Sequence, residues 1–178
     1  MYFDSHAHYD DERFDDDRNE LLASFHDEGI ENVVNSSSDI ASSKASVALT
    51  EKYPFFYASV GVHPHEVEKM TEQDLLELET LSKHEKVVAI GEIGLDFYYD
   101  LSPRDMQRYW FKRQLELAER LDMPIIVHSR DAAQECFDII KASGVRKGVI
   151  HCYSGSAQMA KDYIDMGFYI GIGDSLTF

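Results

Sequence analysis

Val87-Val88-Ala89-Ile90-Gly91-Glu92-Ile93-Gly94 is a short run of β-branched and small residues with aliphatic side chains at both odd and even positions. A strand with one face in water alternates apolar with polar residues; this run does not, so both of its faces are to be covered. Pro124-Ile125-Ile126-Val127-His128-Ser129 reads the same way. Similar runs span Tyr2 to Ser5, Asn32 to Asn35, Phe56 to Val62, Gly148 to Cys152 and Phe168 to Ile172. Helical spacings separate them, for example Leu75, Leu78, Leu81 and Trp110, Leu115, Leu117, Leu121. Strands that alternate with helices point to parallel βαβ units, in a closed (β/α) barrel or a doubly wound sheet. The polar residues decide between the two. Five of the runs carry a His or Glu near their end or are followed at once by His, and strand C-terminal ends are where TIM-type barrels assemble their sites. A Gly-x-Gly-x-x-Gly loop at the first strand, the mark of dinucleotide binding, is absent. The expected fold is a TIM-type (β/α) barrel of about seven strands.

The chain has 178 residues, with 17 Lys+Arg against 33 Asp+Glu, a net charge of −16. That balance excludes a polycationic clamp that grips phosphates with its own surface. At 44% hydrophobic residues and 4 Pro, the chain has material for a core and is not a disordered acidic tail. No linker, repeat or shift in composition divides it, so residues 1–178 are read as a single domain. No apolar run approaches the roughly 18 residues that span a bilayer, and Met1-Tyr2-Phe3-Asp4-Ser5-His6 lacks the basic start of a secretory signal. A cytoplasmic protein without membrane contact is expected. Cys136 and Cys152 are too few for a disulfide framework and are read as reduced thiols.

Asp4-Ser5-His6-Ala7-His8 carries the strongest local signal. In an extended segment residues two apart project to one face, so Asp4, His6 and His8 are expected to point together and the two imidazoles to share a divalent ion. Glu92 lies among small and aliphatic residues, where an ionised carboxylate is costly unless something positive faces it. His128 and His151 close two later runs. As consecutive barrel staves, these strands would bring four histidines and a glutamate to one rim. Such nitrogen and oxygen donors suit Zn²⁺, Mn²⁺ or Fe²⁺ better than Ca²⁺.

Around that rim, Gly61-Val62-His63-Pro64-His65 could present His63 to a substrate or form only a Pro-stiffened turn. Arg130 has the planar fork suited to phosphate or carboxylate, or to a helix-capping ion pair. Asp96 shares the parity of Glu92 and could orient a ligand imidazole beside the substrate. The acidic stretch Asp10, Asp11, Glu12, Asp15, Asp16, Asp17 reads as a solvated helix start, where negative charge is favoured. Trp110 and Phe111 read as core.

Together His6-Ala7-His8, Gly61-Val62-His63-Pro64, Gly91-Glu92-Ile93-Gly94-Leu95-Asp96, Pro124 to Arg130 and His151-Cys152-Tyr153-Ser154-Gly155 resemble the TatD family of metal-dependent hydrolases, cytoplasmic deoxyribonucleases on a TIM barrel. The resemblance runs along the whole chain in order. It implies a two-metal site with His6, His8, Glu92, His128 and His151 as ligands and Glu92 as the bridge. It also implies that His63 and Arg130 contact substrate. The family carries a further strand with a metal-binding Asp, whereas this chain stops at Gly171-Ile172-Gly173-Asp174-Ser175-Leu176-Thr177-Phe178. The expectation is a barrel lacking its last stave, since closed barrels of this class run to about 250 residues. Asp174, where the family usually has a small residue, is not given the missing role. Unpaired edges on the first and seventh strands would then favour pairing with another copy.

The function expected from this reading is hydrolysis of phosphodiester bonds in DNA with two divalent ions, Zn²⁺, Mg²⁺ or Mn²⁺, impaired in so short a chain. The acidic surface argues for short or single-stranded ends. The alternatives are a metal-binding fragment without turnover, or a barrel metallohydrolase acting on amides, esters or lactones.

Overall fold

A computed structural model describes residues 1–173. Seven strands form one parallel sheet, β1 (Tyr2–Ala7), β2 (Ile30–Asn35), β3 (Phe56–Val60), β4 (Val87–Asp96), β5 (Ile125–Arg130), β6 (Gly148–Ile150) and β7 (Phe168–Ile170), each hydrogen-bonded to the next in chain order. Helices α1 (Arg18–Ser24), α2 (Ile40–Lys52), α3 (Glu72–Leu81), α4 (Arg104–Arg120), α5 (Ala133–Ala142) and α6 (Ala157–Asp165) fill the connections. The result is a curled half-barrel of TIM type, with sequential parallel strands and a helix after each of the first six. No helix among the described residues is long and apolar enough to cross a membrane.

Side chains at the helix starts set where several helices begin. Asp39 accepts from the Ser42 amide while Ser42 Oγ accepts from the Asp39 amide, and Thr71 and Asp74 do the same for α3. Ser156 caps α6 through the Met159 amide.

The largest core lies between the sheet and its helices. Val60, Ile90, Ile93, Leu95, Ile125 and Val127 meet Leu78, Phe111, Leu115, Leu117 and Ile140 there, and Trp110 and Phe111 are buried as expected. A small second layer of Val34, Ala89 and Ile126 forms a separate apolar cluster, and the polar groups of the strand ends stand beyond it.

Register shifts interrupt simple alternation, and two of them bear on the site. On β4 the pairing passes from Ile90↔Ile125 to Ile93↔Val127, three residues opposite two, so Ile90 and Ile93 both join the helix-side core. On β1 it passes from Asp4↔Val33 to Ala7↔Asn35 with the same mismatch. These are β-bulges, which re-aim side chains. One brackets Glu92 and the other His6. The imidazoles of His6 and His8 do point together, towards Glu92, across a bulge and not a regular strand, whereas the expectation for Asp4 is corrected: its Oδ1 accepts the backbone amide of His6 at 3.1 Å.

Gly94 shows how tightly β4 and β5 meet. Its φ is +146°, and a Cβ there would lie 1.9 Å from the carbonyl oxygen of His128, so only glycine fits beside that histidine.

Candidate metal centre

Glu92 is buried at the centre of the strand ends, with imidazoles on both of its oxygens. His6 Nε2 stands 3.2 Å and His8 Nε2 3.7 Å from Oε2, while His128 Nδ1 stands 3.1 Å from Oε1. The Nε2 atoms of His6 and His8 face each other at 3.0 Å, and the ring of His151 stacks on that of His6 with centroids 3.4 Å apart. The five residues read as ligands thus come together from β1, β4, β5 and the end of β6. Ligand atoms of His6, Glu92 and His151 all lie within 4.8 Å of one another, as do those of His63, His65 and His128.

Burial would raise the Glu92 carboxyl, but hydrogen bonds from His128 and His6 outweigh it and hold the group well below the carboxylate range. No Lys or Arg pairs with this buried anion among the described residues. Burial lowers His63 to about 3 and His151 to about 4, which keeps both imidazoles neutral. An ionised carboxylate ringed by imidazoles, with no Lys or Arg against it among the described residues, is a donor set that fits divalent cations.

Supporting contacts fix the ring orientations. Asp96 Oδ2 lies 3.0 Å from His128 Nε2 and 2.7 Å from His65 Nε2, so one carboxylate holds two imidazoles. Burial opposes ionisation of Asp96, yet amide and imidazole hydrogen bonds bring it to about 2. Burial also opposes protonation of His128, and its bonds to Glu92 and Asp96 outweigh that and raise it. Beneath His6, Ser36 Oγ lies 3.2 Å from Nδ1, and the Glu92 amide donates to the Ser37 carbonyl at 2.9 Å.

His63 is buried on the wall of a cavity of about 920 Å³ that runs from Glu92 past His8 to the start of α2. Its Nδ1 accepts the His65 amide at 3.2 Å, so the neutral ring carries its proton on Nε2 and offers a donor. Two glutamines on α4 hold the loops in place. Gln114 accepts from the Val62 amide and donates to the Val62 carbonyl, and Gln107 does the same for Asp96. Arg130 does not line the cavity. Its guanidinium lies over Tyr98 and Tyr99, with Cζ 4.1 and 4.6 Å from the ring centroids.

The acidic stretch after β1 is more than a solvated helix start, because Asp10, Asp11 and Glu12 line the cavity and Asp10 accepts from Asn35 Nδ2 at 2.7 Å. The sequence reading passed over His65, Ser36, Gln107 and Gln114. His65 carried a signal, since it sits two residues from His63 as His8 does from His6. Asp174 lies outside the described residues.

The family model for TatD related DNases matches residues 3–178. An uncharacterized metal-dependent hydrolase of Bacillus subtilis, YabD, is 41% identical over the whole of this chain and 71% of its own length. A 3'-5' ssDNA/RNA exonuclease TatD of Cronobacter sakazakii is 31% identical over 96% of this chain and 65% of its own length. The solved structure of YJJV, a TatD homologue of Escherichia coli, superposes with a TM-score of 0.93 at 33% identity, covering 99% of this chain and 70% of that one.

Proposed function

This chain belongs to the family of TatD related DNases, which are metal-dependent hydrolases, and from that premise we propose that it cleaves phosphodiester bonds at the ends of single-stranded DNA with two divalent ions. One observation carries the reading: the two oxygens of Glu92 are engaged from opposite sides, Oε2 by His6 and His8 and Oε1 by His128. A carboxylate so placed suits a bridge between two cations. His6 and His8 would hold one, His128 the other, and His151 stands beside the first set through its stack on His6. The ions, when bound, lower the pKa of a coordinated water and stabilise charge on the attacking and leaving oxygens.

The side chains around them bind and orient. His63 offers a neutral N–H donor to a phosphate oxygen at the cavity wall. Asp96 fixes the His128 ring so that Nδ1 faces Glu92. Arg130 supplies a guanidinium for phosphate at the rim. With a charge of −16 and acidic residues along the cavity, the chain repels a long duplex and tolerates a strand end whose phosphate is held locally. The name of the Cronobacter relative, an exonuclease on single-stranded DNA and RNA, agrees with this.

Incubation of end-labelled single-stranded DNA with Mg²⁺ or Mn²⁺ tests the proposal. Wild type is expected to shorten the strand and Glu92→Ala to leave it intact; equal rates, or turnover confined to amide, ester or lactone substrates, reject it. Loss of Arg130 is expected to weaken action on phosphate substrates far more than on neutral ones.

A further inference from the structure

Tyr98 and Tyr99 follow β4 directly and are 58% and 53% exposed, with ring centroids 4.9 Å apart at 84°. Single exposed tyrosines are ordinary, but this pair is built into the centre. Asp96 Oδ1 accepts the amides of Tyr98 at 3.0 Å and Tyr99 at 2.8 Å, while the other oxygen of the same carboxylate holds His65 and His128. The Tyr99 ring stands edge-on to His65, 5.5 Å between centroids. The backbone that carries the rings is therefore tied beside the metal centre by one buried group.

Arg130 adds the second observation. Arg13, Arg18, Arg104, Arg108, Arg113 and Arg120 each reach a carboxylate, and Arg146 donates to backbone carbonyls. Among the described residues the Arg130 guanidinium has neither, although acids outnumber bases by nearly two to one, and it rests over the two tyrosine rings. An unpaired guanidinium stacked on exposed aromatics is a cation free to meet an anion.

We infer that Tyr98 and Tyr99, with Arg130 against them, form a platform on which the bases of a single-stranded nucleic acid stack as its end enters the metal centre. The inference rests on the phosphodiesterase reading and says where the rest of the strand lies. Unpaired bases have faces to stack on tyrosine, and the guanidinium takes a phosphate between them. A duplex, whose base faces are already stacked on each other, gains nothing there. The part of the cavity towards α2 is lined by Asp10, Asp11, Glu12 and Asp39, the wrong charge for a run of phosphates.

The test is binding of two fluorescent strands of equal length to the full chain with Mg²⁺, followed by anisotropy. One is an oligothymidylate and the other carries abasic tetrahydrofuran units, both with phosphorothioate links to slow cleavage. Tyr98→Ala/Tyr99→Ala is expected to weaken the thymidylate strand by about tenfold or more and the abasic strand by less than about threefold. Tyr98→Phe/Tyr99→Phe keeps the rings and is expected to restore the preference for bases, which separates stacking from misfolding. Equal weakening of both strands, or no weakening of either, overturns the platform. Cleavage of unmodified strands is scored separately: a wild type that prefers the base-bearing strand but cuts neither supports the platform and removes the phosphodiesterase reading.

Discussion

Asp96 holds His128 by its Nε2 at 3.0 Å and thereby turns Nδ1 of the same ring to within 3.1 Å of Glu92. A carboxylate behind an imidazole fixes its tautomer and raises its basicity towards a metal.

Replacing that carboxylate with an amide therefore acts at a distance on the ion. Asp96→Asn is expected to lower metal affinity or activity by about 10- to 100-fold, read by metal titration of the purified chain. Unchanged affinity would show that His128 is oriented by other means.

The same residue sets an acid limit on stability. Asp96 titrates at about 2 against an ordinary 3.8, so the fold favours its ionised form. Its contribution is complete above about pH 4 and is lost as the pH falls towards 2. Urea titrations across that range are expected to show a steeper acid loss for the wild type than for Asp96→Asn; parallel curves speak against the assignment.

Gln114 spans both the amide and the carbonyl of Val62, at 2.8 and 3.0 Å, and thus fixes the loop that carries His63. Gln114→Ala leaves two buried backbone groups unpaired. A loss of about 1–3 kcal/mol or more in unfolding free energy is expected, with weaker substrate binding wherever the protein remains folded. A cost no larger than that of an exposed glutamine on the same helix is the contrary result.

Gly94→Ala tests the tight approach of β4 to His128. A methyl group 1.9 Å from the His128 carbonyl, on a backbone at φ +146°, has no room without moving β5. A destabilisation of about 2 kcal/mol or more is expected from thermal unfolding, together with impaired metal binding. A variant as stable as the wild type would mean that the strands can part at little cost.

Seven strands in order could be read from aliphatic runs separated by helical spacings, because covered strands and amphipathic helices leave different periods in a chain. The convergence of His6, His8, Glu92, His128 and His151 was legible for a related reason: polar groups that close apolar runs have one rim to go to. The bulges at His6 and Glu92 were not legible, since they arise from pairing with a neighbouring strand and leave no local mark. Gln107 and Gln114 were missed because a glutamine that clasps the backbone of another element is spelled like one in water. Asp10, Asp11 and Glu12 were read by charge alone, and only the fold brings them to the cavity wall. Arg130 shows the reverse case. Its planar fork could be read from its residue type, but its resting place on two tyrosines depends on the loop that Asp96 ties down.

Diffraction from crystals soaked in Mn²⁺, recorded for anomalous scattering, is the most direct measurement. Peaks are expected within bonding distance of both Glu92 oxygens, bordered by His6 and His8 on one side and by His128 on the other, and absent from Glu92→Ala crystals. A map without peaks at Glu92, or one unchanged by its removal, would contradict the assignment of these residues to a metal centre.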